Sequence, residues 1–152
     1  MSHYIPKNPD FEARVRDSFS RQGAMALIGA EIVHLAPGAC DIAVSYRPDL
    51  SQQHNFFHGG VVGMIADSAG GYAAFSLMPA DASVLTVEYK INLVAPADGH
   101  RLIARGRVIK PGRTLTVCCV DTVVERDGRE HLCATMLQTL MTMAGRADGP
   151  KG

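Results

Sequence analysis

The sequence predicts an α+β domain in which one long helix is wrapped by a single curved antiparallel sheet. Three observations carry that expectation. The stretch His54–Phe75, HNFFHGGVVGMIADSAGGYAAF, is apolar and rich in small residues throughout, yet it holds one acid, Asp67. After it, from Ser83 to Met143, come four runs of β-branched, aromatic and polar residues in near alternation, each pair separated by Gly with Pro or Asp. Ahead of it lie only an amphipathic segment and two short strand candidates. The chain has 152 residues and is 47% hydrophobic, which suits one domain with a substantial core. We divide it into an N-terminal segment (1–29), the main domain (30–143) and a disordered tail (144–152).

Taken in order, Asp10–Arg21 places Phe11, Val15 and Phe19 four apart, the spacing of one helical face, with Asp10 as N-cap and Gly23 as the stop. Ala30–Leu35 and Cys40–Tyr46 are β-prone runs flanking the turn signal Ala36-Pro37-Gly38-Ala39. Arg47–Phe57 reads as a loop. The long helix runs from about His58 to Leu77 and stops before Met78-Pro79. The strands Ser83–Val94, Arg101–Ile109, Thr114–Val124 and Glu130–Met143 then form a meander. Their connections are Pro96–Gly99, Lys110–Arg113 and Arg126–Arg129, the last with a hairpin-type Asp-Gly. A sheet covering one helix leaves open edges, so a homodimer is expected.

Composition excludes several classes of function. Fifteen basic and fifteen acidic residues, dispersed along the chain, leave no electrostatic footprint for nucleic acid. No apolar run approaches the roughly 18 residues of a membrane span, and no secretory n- and h-region opens the chain, so a cytoplasmic setting is expected. The four cysteines include no C-x-x-C pair and read as buried free thiols. His54 and His58 are four apart, but no third ligand follows at sensible spacing, so no metal is expected. No G-x-S-x-G elbow supports a serine hydrolase.

The long helix carries the chemistry. Gly59, Gly60, Gly63, Gly70 and Gly71 each cost it up to about 1 kcal/mol relative to Ala. A helix start at Gly59-Gly60 bares backbone N–H groups at the positive end of the dipole, a setting for an oxygen gaining negative charge. His58, just before, reads as a capping or orienting residue ahead of a base. Asp67 has no Lys or Arg three or four positions away. In a semi-dry cleft such a carboxylate is a general base or a nucleophile. Gly59 and Asp67 are eight residues apart, about 12 Å along one helix. They can act on the same carbonyl only if Asp67 comes from a second subunit. Lys110 and Arg113 place two cations in one turn, either a solvated hairpin or a clamp for an anionic carrier.

His58-Gly59-Gly60, the acid nine positions after that histidine, and SVLTVEYKINLVAPA over Ser83–Ala97 resemble the hotdog-fold acyl-CoA thioesterases of the phenylacetate-pathway (PaaI-like) type. The resemblance covers roughly Ala30–Met143. It implies hydrolysis of acyl-CoA, with a small to medium aliphatic or aromatic acyl group, to free acid and CoA without a cofactor. The Gly59 amide then polarises the carbonyl, and Asp67 of the partner subunit activates water or attacks directly. Thr86 matches the position of a Ser or Thr that places the water. Relatives carry Asn six residues before the histidine; Gln52 stands there, with His54 and Asn55 as alternatives for its role. Gly60, Phe56, Phe57 and Met64 fall at the acyl pocket, and Lys110 and Arg113 where relatives meet CoA phosphates. The resemblance further implies a homodimer assembling to a tetramer. The competing expectations on the same fold are a non-catalytic acyl-CoA-sensing module and an enoyl-CoA hydratase or dehydratase that pairs His58 with Asp67.

Overall fold

A computed structural model of the chain describes residues 4–150. Helix α1 spans Phe11–Ser20, α2 Gly23–Ile28 and α3 Gly59–Phe75; strands β1 to β6 span Glu31–Ala36, Ala39–Ser45, Ser83–Leu93, Arg101–Lys110, Leu115–Arg126 and Arg129–Met143. The long central helix and the single antiparallel sheet are as the sequence predicts. Two local readings change. Gly23 does not end the first helix but opens a second one, because the break falls at Gln22, whose ψ of 100° leaves the helical region. Met25 and Ile28, three apart, bury the inner face of α2, and Gly29 closes it at φ 70°. Asp10 occupies the N-cap position of α1, yet its side chain makes no cap bond. The Asn8 side chain instead accepts from the Asp10 N–H at 3.1 Å.

The strand order corrects the expected meander. The sheet runs β1-β2-β4-β5-β6-β3, every neighbour antiparallel. Strands β4, β5 and β6 do follow one another through tight turns. Asp127 and Gly128 both take positive φ (52° and 70°), as a type I′ hairpin requires. Strand β3 does not join them as the first of the series. It crosses to the far side of β6 and ends the sheet, because Val94–His100 forms an open link rather than a tight turn.

Helix α3 lies across the concave face, its buried side formed by Val62, Ile65, Ala66, Ala69, Ala73 and Phe75. Ile42, Leu102, Val120 and Leu140 meet it from four strands and are at most 0% exposed. Strand β4 touches the helix backbone itself at Gly106. A Cβ there would stand 2.4 Å from the Ala69 carbonyl oxygen. The glycine on β4 therefore lets the sheet close onto the helix backbone. Helix α1 seals the far end of α3. Arg14 donates to the Pro79 carbonyl at 2.7 Å, to Met78 at 3.3 Å and to Ala82, and its guanidinium lies 3.9 Å from the Phe75 ring centroid.

Candidate active site

The amino end of α3 is held by its own cap and by the loop before it. The His58 backbone is extended (φ −61°, ψ 137°), and its Nδ1 accepts the Gly60 N–H at 2.8 Å. Accepting there leaves the ring proton on Nε2 and commits His58 to capping. The His58 N–H donates to the Leu50 carbonyl at 2.9 Å and the Phe57 N–H to Ala97 at 3.0 Å. Ser51 and Phe57 form an isolated bridge, and the tip between them turns through Asn55 at φ 63°. Gln52 Oε1 accepts from the His54 N–H, so its acceptor is already engaged inside this loop.

With the Gly60 N–H given to His58, the Gly59 N–H is left without an acceptor among the described residues. Gly59 borders a cavity of about 460 Å³ lined also by Gln52, Phe57, Val62, Leu93 and Pro96, among others. Leu93 stands so close that a Cβ at position 59 would lie 2.9 Å from its Cδ1. Cys133 also lines this space, but it is no nucleophile. Its Sγ donates to the Thr122 carbonyl at 3.3 Å, and burial pushes the thiol up to about 11.

The middle of α3 faces a second cavity, of about 390 Å³. Asp67, Tyr72, Thr86 and Leu140 line it, and Ser18 and Gln22 reach it from the N-terminal helices. Thr86 Oγ1 donates to Asp67 Oδ1 at 2.7 Å, so the two residues singled out from the sequence do meet. No Lys or Arg pairs with Asp67 among the described residues. A third group, absent from the sequence reading, completes the arrangement: Gln138 Nε2 lies 2.5 Å from Asp67 Oδ1. The signal for it was available. Gln138 interrupts the inward-facing series Ala134, Met136, Leu140 on β6, where an amide is costly without a partner.

Of the other expected residues, Phe56 and Phe57 line the Gly59 cavity and the rest stay apart. Met64 is 38% exposed and lines neither cavity. Phe57 is buried at the Gly59 cavity, its ring edge-on to Tyr46 at 5.3 Å. Lys110 and Arg113 are exposed in the β4–β5 turn, whose Pro111 and Gly112 neighbour Leu77 and Met78 beyond the far end of α3. The helix between is about 24 Å long, so within one protomer these cations lie far from Gly59.

A six-stranded sheet curled round one glycine-rich helix, with its chemistry strung along that helix, is the hotdog fold. The chain belongs to the thioesterase superfamily, whose family model matches residues 54–130. A Saccharolobus solfataricus protein that bears the name esterase is 30% identical over 127 residues, 84% of this chain and 82% of that one. Among solved structures, a thioesterase family protein of Silicibacter pomeroyi is 50% identical, with a TM-score of 0.88 over 89% of this chain and 99% of that one. The PaaI protein of the Escherichia coli phenylacetic acid degradation operon shares the fold at a TM-score of 0.81, covering 90% and 96%, with 17% identity.

Proposed function

We propose that the protein hydrolyses acyl-CoA thioesters in a site shared between two subunits of a homodimer. The observation that carries this reading is the division of the chemistry along α3. An unspent amide borders an apolar cavity at residue 59, and an acid without a cationic partner faces a separate cavity at residue 67. Eight residues of helix separate them by about 12 Å, four times the reach of a hydrogen bond. A second copy with its helix antiparallel to the first brings the partner's Asp67 to the Gly59 amide.

In that site the thioester carbonyl oxygen accepts from the Gly59 N–H, which faces the charge that grows on it. Asp67 acts as general base or as nucleophile. As a base it takes a proton from water, the hydroxyl oxygen bonds to the carbonyl carbon, and the C–S bond breaks. The proton then passes to the departing sulfur, giving acid and CoA thiol. The apolar walls at Phe57, Val62, Leu93 and Pro96 suit an aliphatic or aromatic acyl group. Lys110 and Arg113, exposed in the β4–β5 turn, bind the CoA phosphates across the dimer.

The surface supports dimerisation. Strand β3 ends the sheet with one edge unpaired among the described residues, and Leu85, Val87, Tyr89 and Leu93 along it are 45–57% exposed. An unshielded edge of this length is a template for pairing with a copy of itself. Hydratase chemistry is disfavoured because the His58 Nδ1 is spent on the helix cap.

Thiol release from a panel of aliphatic and aromatic acyl-CoAs, with molar mass measured in the same buffer, tests the reading. The expected result is turnover by a dimer or larger assembly. Acyl-CoA binding without thiol release identifies a sensing module instead.

A further inference from the structure

We propose that Gln138 is a positioning residue that aims Asp67, and that Gly70 exists in α3 to house it; this rests on the thioesterase reading above. Gln138 is 0% exposed, and its amide nitrogen has three oxygens in reach. These are Asp67 Oδ1 at 2.5 Å, the Asp67 carbonyl at 3.1 Å and Thr86 Oγ1 at 3.3 Å. The carboxylate and the carbonyl are acceptors only, which decides that Nε2 and not Oε1 faces them. Two donors, Gln138 Nε2 and Thr86 Oγ1, thus converge on Oδ1. No side chain among the described residues donates to Oδ2. The carboxylate is held by one oxygen, and the other is left to take the proton or to attack.

The arrangement is a poor choice for stability, and that is the second half of the argument. Gln138 Oε1 is buried with no hydrogen-bond donor. Such an orphan acceptor costs free energy that an apolar side chain of the same size avoids. Oε1 also occupies the place of a side chain at position 70, where a Cβ would stand 1.9 Å from it. The helix therefore carries a mid-helical glycine, itself destabilising, opposite a buried amide that lacks a partner. Both costs are explained if the amide is there for Asp67. Packing accounts for part of the glycine, since a Cβ at 70 would also stand 3.0 Å from Val120 Cγ2, but not for the buried amide that makes the tightest contact with it.

The experiment compares Gln138→Met, which keeps length and loses the amide, with wild type, with Asp67→Ala and with the Asp67→Ala/Gln138→Met double variant. Thiol release and thermal midpoint are read on the intact assembly. The expected result is a kcat roughly 10- to 100-fold lower with KM within about threefold, a thermal midpoint equal to or above wild type, and no further loss when Gln138→Met is added to Asp67→Ala. A kcat within twofold of wild type overturns the proposal. So does a loss that persists unchanged in the Asp67→Ala background, or one that tracks a lowered midpoint. Gly70→Ala gives a second reading: the new methyl displaces Oε1 and also presses on Val120, so kcat is expected to fall in wild type and not to fall further in the Gln138→Met background. A crystal structure of Gln138→Met separates this proposal from the functional one. Asp67 swung away from Thr86 supports the positioning role even if wild type releases no thiol. Asp67 unmoved overturns it even if wild type is a fast thioesterase.

Discussion

The Thr86 hydroxyl donates to Asp67 Oδ1 at 2.7 Å and so ties the edge strand β3 to the middle of the central helix. The bond is unusual in position. It lies just before a bulge that skips Val87 in the β3–β6 register, where Thr86 pairs with Leu140 and Glu88 with Thr139. Bulges next to functional sites re-aim a side chain, and this one lets Thr86 face the helix at the end of a regular stretch. The half-buried acid, the hydroxyl and the edge strand are thereby one unit, so that dimerisation along β3 would act directly on the acid.

Asp67→Ala is expected to reduce kcat/KM by more than tenfold, over 1.4 kcal/mol of transition-state stabilisation, while the fold and assembly survive. Thr86→Val, which keeps the shape and deletes the donor, is expected to lower kcat about tenfold. Steady-state thiol release with a parallel thermal melt checks both. Retention of more than a tenth of wild-type kcat/KM by Asp67→Ala removes the residue from the mechanism.

Gly59→Pro deletes the proposed oxyanion donor at a position whose backbone suits proline, with the Leu93 side chain having to shift from the new Cβ. It is the first residue of α3, and His58 before it is already in the extended conformation that a following proline requires. Loss of one such donor costs about 100- to 1,000-fold in kcat. Subunit exchange then tests whether the site is shared. Mixed with Asp67→Ala protein, the Gly59→Pro subunits form hybrid dimers with one intact site, so activity returns to about a quarter of wild type in a random mixture of C2 dimers. No recovery after verified exchange would place both groups in one subunit.

Arg14 is predicted to matter for stability rather than turnover. It joins α1 to the carbonyls that follow α3 and lies over Phe75. Arg14→Leu leaves those carbonyls unpaired and is expected to cost about 2 kcal/mol in urea unfolding. Arg14→Lys should recover little of it, since an ammonium cannot fork between the three acceptors. A lysine variant as stable as wild type would show that charge alone suffices.

Alkaline pH should loosen the fold through its buried thiols. Burial pushes Cys40 and Cys118 from 9.0 up to about 12 and Cys133 up to about 11. The folded state therefore holds these protons where the unfolded chain releases them. Their contribution is complete below pH 9 and is lost as pH rises from there toward 11–12, at up to about 1.4 kcal/mol per pH unit for each thiol. Urea midpoints between pH 8 and 11 measure the slope. Cys40→Ala, less stable at neutral pH, is expected to show a shallower decline.

Much of the fold was legible because its signals are local. The apolar, small-residue stretch before Met78-Pro79 marks α3, and Asp127-Gly128 marks its hairpin. The His58-Gly59-Gly60 start and the acid at 67 stand on the same helix, so their separation follows from helical rise alone. The short α2 was not legible. Its six residues carry too few turns for periodicity to show, and Gly23 looked like a stop.

The sequence by itself determined the order of elements apart from α2, the glycine-opened helix, and the fact that residues 59 and 67 cannot reach one carbonyl from the same subunit. Tertiary structure alone decided that β3 pairs with β6 at the sheet edge. That choice sets Thr86 and Gln138, 52 residues apart, on the same acid. Strand order is a matter of long-range pairing and packing against α3, which no local pattern encodes. The link Val94–His100 permits a crossover but does not announce one. The pocket walls are likewise a tertiary matter, because Ser18 and Gln22 line the Asp67 cavity only once α1 has docked beside Tyr72.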